Sequence, residues 1–457
     1  MKTILYILLF LMCINCQSCK ENSTGYVVHL RRLNSYDGEF GFDWMRKDYK
    51  KTCLSYEELK KVYQPTTLTN QEYLIPWISM FPNQMGVKLR IEVETNEDIN
   101  TDSIEFKSVD GIKFIPNKFP LSEAQNKEVS IECNKPLTVN TTVEIINQDK
   151  IVVGKVCFYA NHNLNTLKIK FLRLKGNERD NTYNEKVFNQ MTLEWMNKLK
   201  EKFKSKYFNQ ALINIVFDET EDFIVDVEKY REKKLLFVFT DKEGKQSIPR
   251  YNKGFDDEIY KEYVEKNKPY DGILFLMSSM QQQGMELGHA KVYPRNSNYI
   301  MMNPSAVGGG YISFVHELGH ALGLHHPWNN TNMYKERLKR IEAREMQLRT
   351  YLDKNKLYKD NIKVGNFGKT LGELRNELNK ELLQLRQEKA DKIRLNSEIY
   401  FKRSTTENIM DYNGYNDEIT QEIIYNTFSE GTTFWKWQWD LMNEEVKAYH
   451  SELNIYN

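Results

Sequence analysis

Residues 316–326 read His-Glu-Leu-Gly-His-Ala-Leu-Gly-Leu-His-His. His316 and His320 lie four positions apart, so on a helix they project from one face, about one turn from each other. Gly323 lets the chain leave that helix in a sharp turn, because glycine adopts left-handed backbone dihedrals at little cost. The turn brings His326 back towards the first two imidazoles. The spacing therefore predicts three ligands for one metal ion.

The number of ligands indicates which metal chemistry to expect. Three protein ligands leave the fourth position of a tetrahedral zinc ion open, which distinguishes a catalytic site from a closed structural one. Glu317, beside the first histidine, is placed to act as a general base. His325 is the local alternative for the third ligand, but the spacing favours His326. The alternative to a metal site is a solvated or adventitious histidine cluster. Against it, four of the eight histidines fall in this run.

The pattern H-E-x-x-H-x-x-G-x-x-H resembles that of the metzincin clan of zinc peptidases. That clan also carries a downstream turn with a methionine below the metal, and residues 408–412, Asn-Ile-Met-Asp-Tyr, are similar to it. The resemblance implies that Met410 is structural and that Tyr412 supplies an electrophile for the oxyanion. The alternative for Tyr412 is an ordinary packed or surface aromatic, since the chain has 27 tyrosines. The resemblance extends from Leu167 to the C-terminus.

The first residues resemble a bacterial lipoprotein signal. Lys2 precedes an apolar stretch at 4–11, which is too short for a transmembrane helix. Cysteines follow at 13, 16 and 19, and Ser18 makes Cys19 the preferred lipidation site, with Cys16 as the second choice. We expect residues 1–18 to be a signal peptide and the chain to be an exported outer-membrane or cell-surface lipoprotein. A location facing the periplasm and a plain secretory signal are the alternatives.

Composition limits the other function classes. The 457 residues carry 64 basic and 63 acidic side chains, a net charge of +1, which gives none of the basic excess of a nucleic-acid-binding protein. We therefore expect a monomer with a protein or peptide substrate and no nucleic-acid partner. Membrane contact would come through a lipid at Cys19. Beyond the signal, Cys53, Cys133 and Cys157 are too few for a disulfide framework, and Cys133 and Cys157 are either one bridge or two buried thiols.

The predicted fold class is α+β, with an all-β domain that precedes the metal-binding domain. Residues 19–75 are mixed and polar, and we expect a tether with a short helix at 56–62. Residues 76–165 show alternating apolar strands at 87–93, 129–133, 142–146 and 151–159. Regular short strands of this kind predict an immunoglobulin-like β-sandwich.

Residues 166–457 are predicted to form the metzincin-like domain, a twisted mixed sheet with an active-site helix. Strands are expected at 167–174, 213–217, 235–239 and 272–276, with a long amphipathic helix at 184–206. The resemblance also implies an edge strand that pairs with extended substrate, at either 289–293 or 299–302. An edge of this kind favours peptides over sugars or lipids.

An insertion at about 333–394 separates the histidines from the methionine turn. Apolar residues follow helical spacing on both sides of a central turn, namely Leu338, Ile341, Leu348, Leu352, Leu371, Leu374, Leu378, Leu382 and Leu385. The pattern predicts an antiparallel helical hairpin that packs through its own leucines. The functional alternative is an arm that shapes substrate access or docks a partner. Residues 435–451 are predicted to form a final aromatic-rich helix.

The sequence thus predicts a zinc-dependent endopeptidase with one catalytic zinc ion. His316, His320 and His326 would bind the metal, Glu317 would be the general base, and Tyr412 would assist. Two other functions stay open. One is hydrolysis of non-peptide amides such as cell-wall links, and the other is a catalytically silent surface binder.

Overall fold

A computed structural model describes residues 25–95, 102–177, 188–237, 250–282, 287–291, 298–308, 310–328, 331–363, 369–395, 399–412, 414–416, 423–425 and 431–455. The expectations for the signal peptide, Cys16 and Cys19 lie outside the described residues. Helices and strands in several sheets make up the described chain, which confirms the α+β class. No described helix combines the length and apolar character needed to cross a bilayer.

Two sheets lie in the N-terminal part of the chain. The first has the order β1 (Tyr26–Arg32), β6 (Val87–Thr95), β10 (Glu128–Cys133) and β8 (Ile112–Ile115). The second has the order β2 (Gly41–Asp43), β5 (Trp77–Ser79), β12 (Val152–Phe158), β11 (Thr141–Asn147), β7 (Ser103–Phe106) and β9 (Lys118–Pro120). Alternate residues of both sheets enter one apolar cluster, to which Leu89, Ile131 and Val143 belong. The two sheets therefore pack through a shared core.

The structure corrects the predicted tether for residues 25–75. β1 pairs antiparallel with β6 from Tyr26↔Thr95 to Arg32↔Leu89, and β2 pairs with β5. Short elements follow: α1 (Tyr49–Thr52), α2 (Tyr56–Val62) and the hairpin of β3 (Thr66–Leu68) and β4 (Gln71–Tyr73). The tether was wrong because the polar composition of the whole segment concealed these short elements, and because β1 and β2 find their partners beyond residue 75.

A seven-stranded, mainly parallel sheet forms the second half of the molecule. Its main order is β14 (Ile213–Phe217), β13 (Asn163–Gly176), β18 (Ile273–Ser278), β21 (Tyr299–Met302) and β20 (Gly288–Ala290). β15 (Glu221–Val225) and β24 (Ser451–Ile455) also pair with β13. All six residues of β18 are buried, as expected for a strand covered on both faces.

Helices cover both faces of this sheet. The described helices of this half are α3 (Leu193–Lys202), α4 (Val227–Glu232), α5 (Phe255–Lys266), α6 (Pro304–Gly308), α7 (Ile312–Ala321), α8 (Thr331–Asn355), α9 (Leu371–Leu395) and α10 (Lys436–Tyr449). Leu274 and Leu276 face the cluster that contains α4 and α5. Ile273, Phe275 and Met277 face the opposite cluster, which contains α3, α7 and α10.

Two predicted elements differ from the structure. Of the helix expected at 184–206, residues 184–187 lie outside the described residues, and a regular helix runs from Leu193 to Lys202. It begins there because the Thr192 hydroxyl caps it by accepting the N–H of Trp195 at 3.1 Å. A π-helical turn, Phe203–Tyr207, and a 3₁₀ turn, Phe208–Ala211, continue it. The strand expected at 235–239 is described only as β16 (Leu236–Phe237), in a small sheet with β17 (Arg250–Tyr251) and β19 (Gln281–Gln282).

The predicted helical hairpin is present as α8 and α9. All the apolar residues of the two predicted stripes are buried or partly buried. Two ion pairs follow the order expected for antiparallel helices: Glu342 pairs with Lys389, and Glu345 pairs with Arg386. Arg344 adds a third pair between the helices, with Glu381. A two-stranded hairpin, β22 (Gly414–Asn416) and β23 (Ile423–Tyr425), precedes α10, whose N-cap is Trp435.

Candidate metal centre

The helix α7 ends in the turn that the sequence predicts. Gly323 has a φ of +87°, in the left-handed region, and an added Cβ would meet no atom within 4 Å. The N–H of Leu324 donates to the carbonyl of Gly319 at 2.9 Å, and that of Gly323 donates to His320 at 3.0 Å. These two bonds form a Schellman motif, which satisfies the last carbonyls of the helix and reverses the chain. The reversal brings His326 back to α7.

Three imidazoles converge at this turn. Candidate ligand atoms of His316, His320 and His326 all lie within 4.8 Å of one another. Nε2 of His326 is 3.1 Å from Nε2 of His316 and 3.1 Å from Nε2 of His320. Zn–N bonds of about 2.0–2.1 Å at tetrahedral angles would place two ligand nitrogens about 3.3 Å apart. The spacing therefore fits a first-row metal ion, and the group could hold one.

Backbone carbonyls orient two of these rings. Nδ1 of His316 lies 3.0 Å from the carbonyl of Ile409, and Nδ1 of His320 lies 2.7 Å from the carbonyl of Leu324. A carbonyl only accepts, so each Nδ1 carries the proton, and each neutral ring presents an Nε2 lone pair. Because lone pairs that face one another repel, this arrangement favours a cation between them.

The protein environment keeps the three rings neutral. Burial lowers the pKa of His316 and lowers that of His320 well below its usual value. Burial, together with electrostatic repulsion from His316, His325 and Arg403, lowers the pKa of His326 to about 3. Neutral imidazole is the form that binds a metal ion, so the fold holds these side chains in their ligand state at neutral pH.

Met410 lies below the helix of the ligands. Its side chain is fully buried, and its Sδ lies 2.5 Å from the position that a Cβ on Gly319 would occupy. Gly319 falls between His316 and His320 in the sequence. A glycine at 319 therefore permits the thioether to pack directly against the helix backbone beside the ligands, and a larger residue would separate the two.

Polar side chains shape the turn that carries Met410. The N–H of Asp411 donates to the carbonyl of Asn408 at 2.9 Å, and the N–H of Met410 donates to Asn408 Oδ1 at 2.9 Å. The Asp411 carboxylate accepts the backbone N–H groups of Ser404 and Thr406 at 2.9 and 3.0 Å. The turn is thus closed from both ends, which places the Ile409 carbonyl against His316.

Tyr412 lies beside the imidazole group. Its ring centroid is 4.8 Å from that of His326 and 5.7 Å from that of His316. Trp328 stacks on His326, with ring centroids 4.8 Å apart and an interplanar angle of 10°. The guanidinium carbon of Arg403 lies 4.4 Å from the Trp328 ring centroid and 4.9 Å from that of Tyr412. The structure therefore adds a cation and an indole that the sequence reasoning missed.

The remaining predicted residues take simpler positions. Glu317 follows His316 on α7 and is partly buried, while His325 lies outside the group of three converging ligands. Cys53, Cys133 and Cys157 are all buried free thiols, so the bridge between Cys133 and Cys157 is absent. Cys53 packs near Ser55 and is not part of the ligand group.

The edge of the seven-stranded sheet runs beside α7. β20 ends the strand order and pairs antiparallel with β21 through His289↔Met301. β21 lies between β18 and β20, so residues 299–302 cannot be the edge strand. The other predicted alternative, 289–293, overlaps the edge strand β20 at residues 288–290, and residues 292–297 lie outside the described residues. Ala290 packs against the cluster that contains α7.

Sequence reasoning missed the groups that support the ligands. The carbonyls of Leu324 and Ile409 have no signal in the sequence, because any residue supplies a carbonyl. Gly319 was readable in principle, since a glycine in the interior of a helix costs about 1 kcal/mol relative to alanine and so calls for a packing reason.

Comparisons with known proteins add little. No family model and no curated protein matches the sequence. One solved structure, described as "Structure of a chaperone-substrate complex", aligns at 12% identity with a TM-score of 0.21. The alignment covers 44% of this chain and 29% of that chain. The present chain thus spans less than a third of that structure, and a likeness this low carries no argument about fold or function.

Proposed function

We propose that this chain is a zinc-dependent endopeptidase with a metzincin-like catalytic domain. The observation that carries the proposal is the convergence of three imidazoles. Nε2 of His326 lies 3.1 Å from Nε2 of both His316 and His320, and backbone carbonyls orient the rings of His316 and His320. Buried Met410 below α7 and Tyr412 beside the rings support the same assignment. The two packed N-terminal sheets support an immunoglobulin-like module, which belongs to the same proposal.

The residues of the chain would divide the reaction between them. Zinc, when bound, lowers the pKa of a coordinated water towards ~7 and polarises the substrate carbonyl. Glu317 accepts the proton of the attacking water and passes it to the leaving amine. The Tyr412 hydroxyl donates a hydrogen bond to the developing oxyanion, and Arg403 places a positive charge behind its ring.

The substrate would bind as an extended chain. The backbone of β20 is the open edge of the described sheet on the side of α7, and a peptide can add to such an edge as a further strand. Main-chain pairing requires a run of peptide groups, so it favours protein substrates over isolated amides.

Cleavage of a diverse peptide library by the chain lacking residues 1–19 tests this function. Wild type is compared with Glu317→Gln, and Glu194→Gln, an exposed change on α3, is the matched control. We expect cuts by wild type and the control, loss of cleavage with a chelator, and at least a hundredfold slower cleavage by Glu317→Gln. Cleavage by Glu317→Gln at the wild-type rate would overturn the role of Glu317. One bound zinc without any cuts would point instead to a non-peptide amide or to a silent binder.

Export and lipidation are a separate part of the proposal. We place the lipid at Cys19, which lies outside the described residues. Labelling of the full chain with a palmitate analogue, in wild type and in Cys19→Ala, tests the assignment. Retained labelling in Cys19→Ala that disappears in Cys16→Ala would move the lipid to Cys16.

A further inference from the structure

A buried carboxylate stands at the start of the turn that carries Met410. Glu407 immediately precedes Asn408, and its side chain is 8% exposed. Arg32 Nη2 lies 3.1 Å from Glu407 Oε1, Arg46 pairs with the same oxygen, and the Tyr49 hydroxyl lies 3.4 Å from both carboxylate oxygens. We call these four residues the Glu407 clamp. All three partners come from residues 25–75, which we call the N-terminal segment.

Trp44 and Asp43 contact the guanidinium groups of the clamp. The ring of Trp44 lies 4.3 Å from the guanidinium carbon of Arg32 and 3.9 Å from that of Arg46. A second buried carboxylate, Asp43, lies 3.9 Å from Arg46 and accepts hydrogen bonds from the Tyr63 hydroxyl and the Lys436 N–H at 2.9 and 2.8 Å. Two cations thus face two anions, and removing one partner would leave an uncompensated buried charge.

A short path connects this cluster to a metal ligand. Ile409 lies two residues after Glu407, and its carbonyl is the acceptor that orients His316. The opposite strand of the loop fixes the same backbone, because the Thr432 N–H donates to the Glu407 carbonyl at 3.0 Å and the Ile409 N–H donates to Thr433 at 2.9 Å. The Glu407 side chain and residues 432–433 thus hold, from two sides, the backbone that presents the Ile409 carbonyl to His316.

Further contacts join the N-terminal segment to the chain before the turn. The Lys402 N–H donates to the carbonyl of Thr52 at 2.8 Å, and the Tyr400 N–H donates to the Ser55 hydroxyl at 2.7 Å. The indole N–H of Trp435 donates to the Tyr49 hydroxyl at 3.1 Å. The N-terminal segment thus holds both the turn and the helix that follows it.

We infer that Arg32, Arg46 and Tyr49 are positioning residues for the metal centre, acting through Glu407 and the Ile409 carbonyl on His316. The N-terminal segment is then a working part of the metal centre and not a removable tether. The inference rests on the proposal that the three histidines bind a metal ion. It does not depend on which bond the enzyme cleaves.

Metal affinity distinguishes positioning from mere stabilisation. The full chain is titrated with Co²⁺, whose visible absorption reports both occupancy and geometry, and peptide cleavage and thermal unfolding are followed in parallel. The test variant is Glu407→Gln, which keeps the shape and removes the charge. Glu92→Gln is the matched control, because Glu92 pairs with Arg31 at 3.1 Å in the same N-terminal part, away from the turn.

We expect Glu407→Gln to weaken Co²⁺ binding about tenfold and to alter the absorption band, as loss of a group that supports a ligand does. Its kcat should fall more than its KM changes. The control should match wild type in Co²⁺ binding, peptide cleavage and thermal unfolding. The double variant Arg32→Met with Glu407→Gln restores the charge balance and should recover thermal stability. It should not recover the full affinity, because the turn still lacks its anchor.

Four outcomes decide the inference. Lower thermal stability with wild-type Co²⁺ affinity and spectrum would show that the clamp is only structural and would overturn it. If Glu407→Gln does not fold, Tyr49→Phe removes a single hydroxyl, and an unchanged affinity and spectrum in that variant would also overturn it. Weakened metal binding by Glu407→Gln in a chain that cleaves no peptide would support the inference and refute only the peptidase function. A wild-type chain that binds no Co²⁺ would overturn both.

Discussion

Gly319→Ala tests how closely the methionine turn packs against the helix of the ligands. An added Cβ would lie 2.5 Å from Sδ of Met410 and 3.3 Å from its Cε. Favourable contacts between non-bonded heavy atoms need about 3.5–4.0 Å, so either the helix or the turn must move by about 1 Å. Met410 is fully buried, so the thioether cannot turn out into solvent without disturbing its neighbours.

Two opposing terms set the magnitude. Overpacking in a dense core costs about 1–3 kcal/mol, while glycine to alanine in a helix interior gains about 1 kcal/mol. We expect Gly319→Ala to lower the free energy of unfolding by about 1 kcal/mol. In a Met410→Ala background the clash is absent, so the same substitution should raise it by about 1 kcal/mol.

The assay is urea unfolding of the metal-free chain for wild type, both single variants and the double variant. A change of sign between the two backgrounds, with a coupling of about 2 kcal/mol, is the expected result. Additivity within about 0.5 kcal/mol, or a stabilising Gly319→Ala in the wild-type background, would refute the close contact between Met410 and α7.

Three further predictions concern the turn, the pH response and the metal. Gly323→Ala should cost about 1 kcal/mol from its left-handed backbone alone, and it should weaken Co²⁺ binding in a titration. Burial opposes ionisation of Glu262, but hydrogen bonds from Lys229, Lys266 and Tyr230 prevail and lower its pKa to about 2. Its stabilising effect is therefore present above pH 4.5 and lost towards pH 2, so urea unfolding of wild type should lose about 2 kcal/mol more than Glu262→Gln over that window. Zinc at a thousandfold excess over Kd should raise the free energy of unfolding by about 4 kcal/mol and a chelator should reverse it, with no response in His326→Ala.

Local patterns were the part of the fold that the sequence predicted best. The helix at Tyr56–Val62 and the strands at Ile213–Phe217 and Tyr299–Met302 have the predicted bounds. In each of them, the signal lies within the element itself. The turn at Gly323 that brings His326 back to α7 was also predictable, because the spacing of the histidines and the position of this glycine determine it locally.

Long-range partners were the part that the sequence could not supply. Residues 19–75 as a whole are mixed and polar, so a tether was the wrong expectation for Tyr26–Arg32, which pairs with Val87–Thr95. Glu407 gave no signal, because one acidic residue among 63 acquires its role only from arginines near the other end of the chain. Thr192 is a residue type that caps helices, but the apolar pattern on both sides of it led to a prediction of one helix that ran through it.

The Glu407 clamp also has a consequence for how the chain folds. Nε2 of His316 meets a partner ten residues away, whereas Arg32 meets Glu407 across 375 residues. Closing a loop of that length costs about 5 kcal/mol in chain entropy before any contact compensates for it. We expect a refolding chain to capture its metal early in loose coordination and to reach the final geometry only when its two ends meet. Stopped-flow refolding with Co²⁺ should then show two phases in absorption, and a single phase would contradict this order of events.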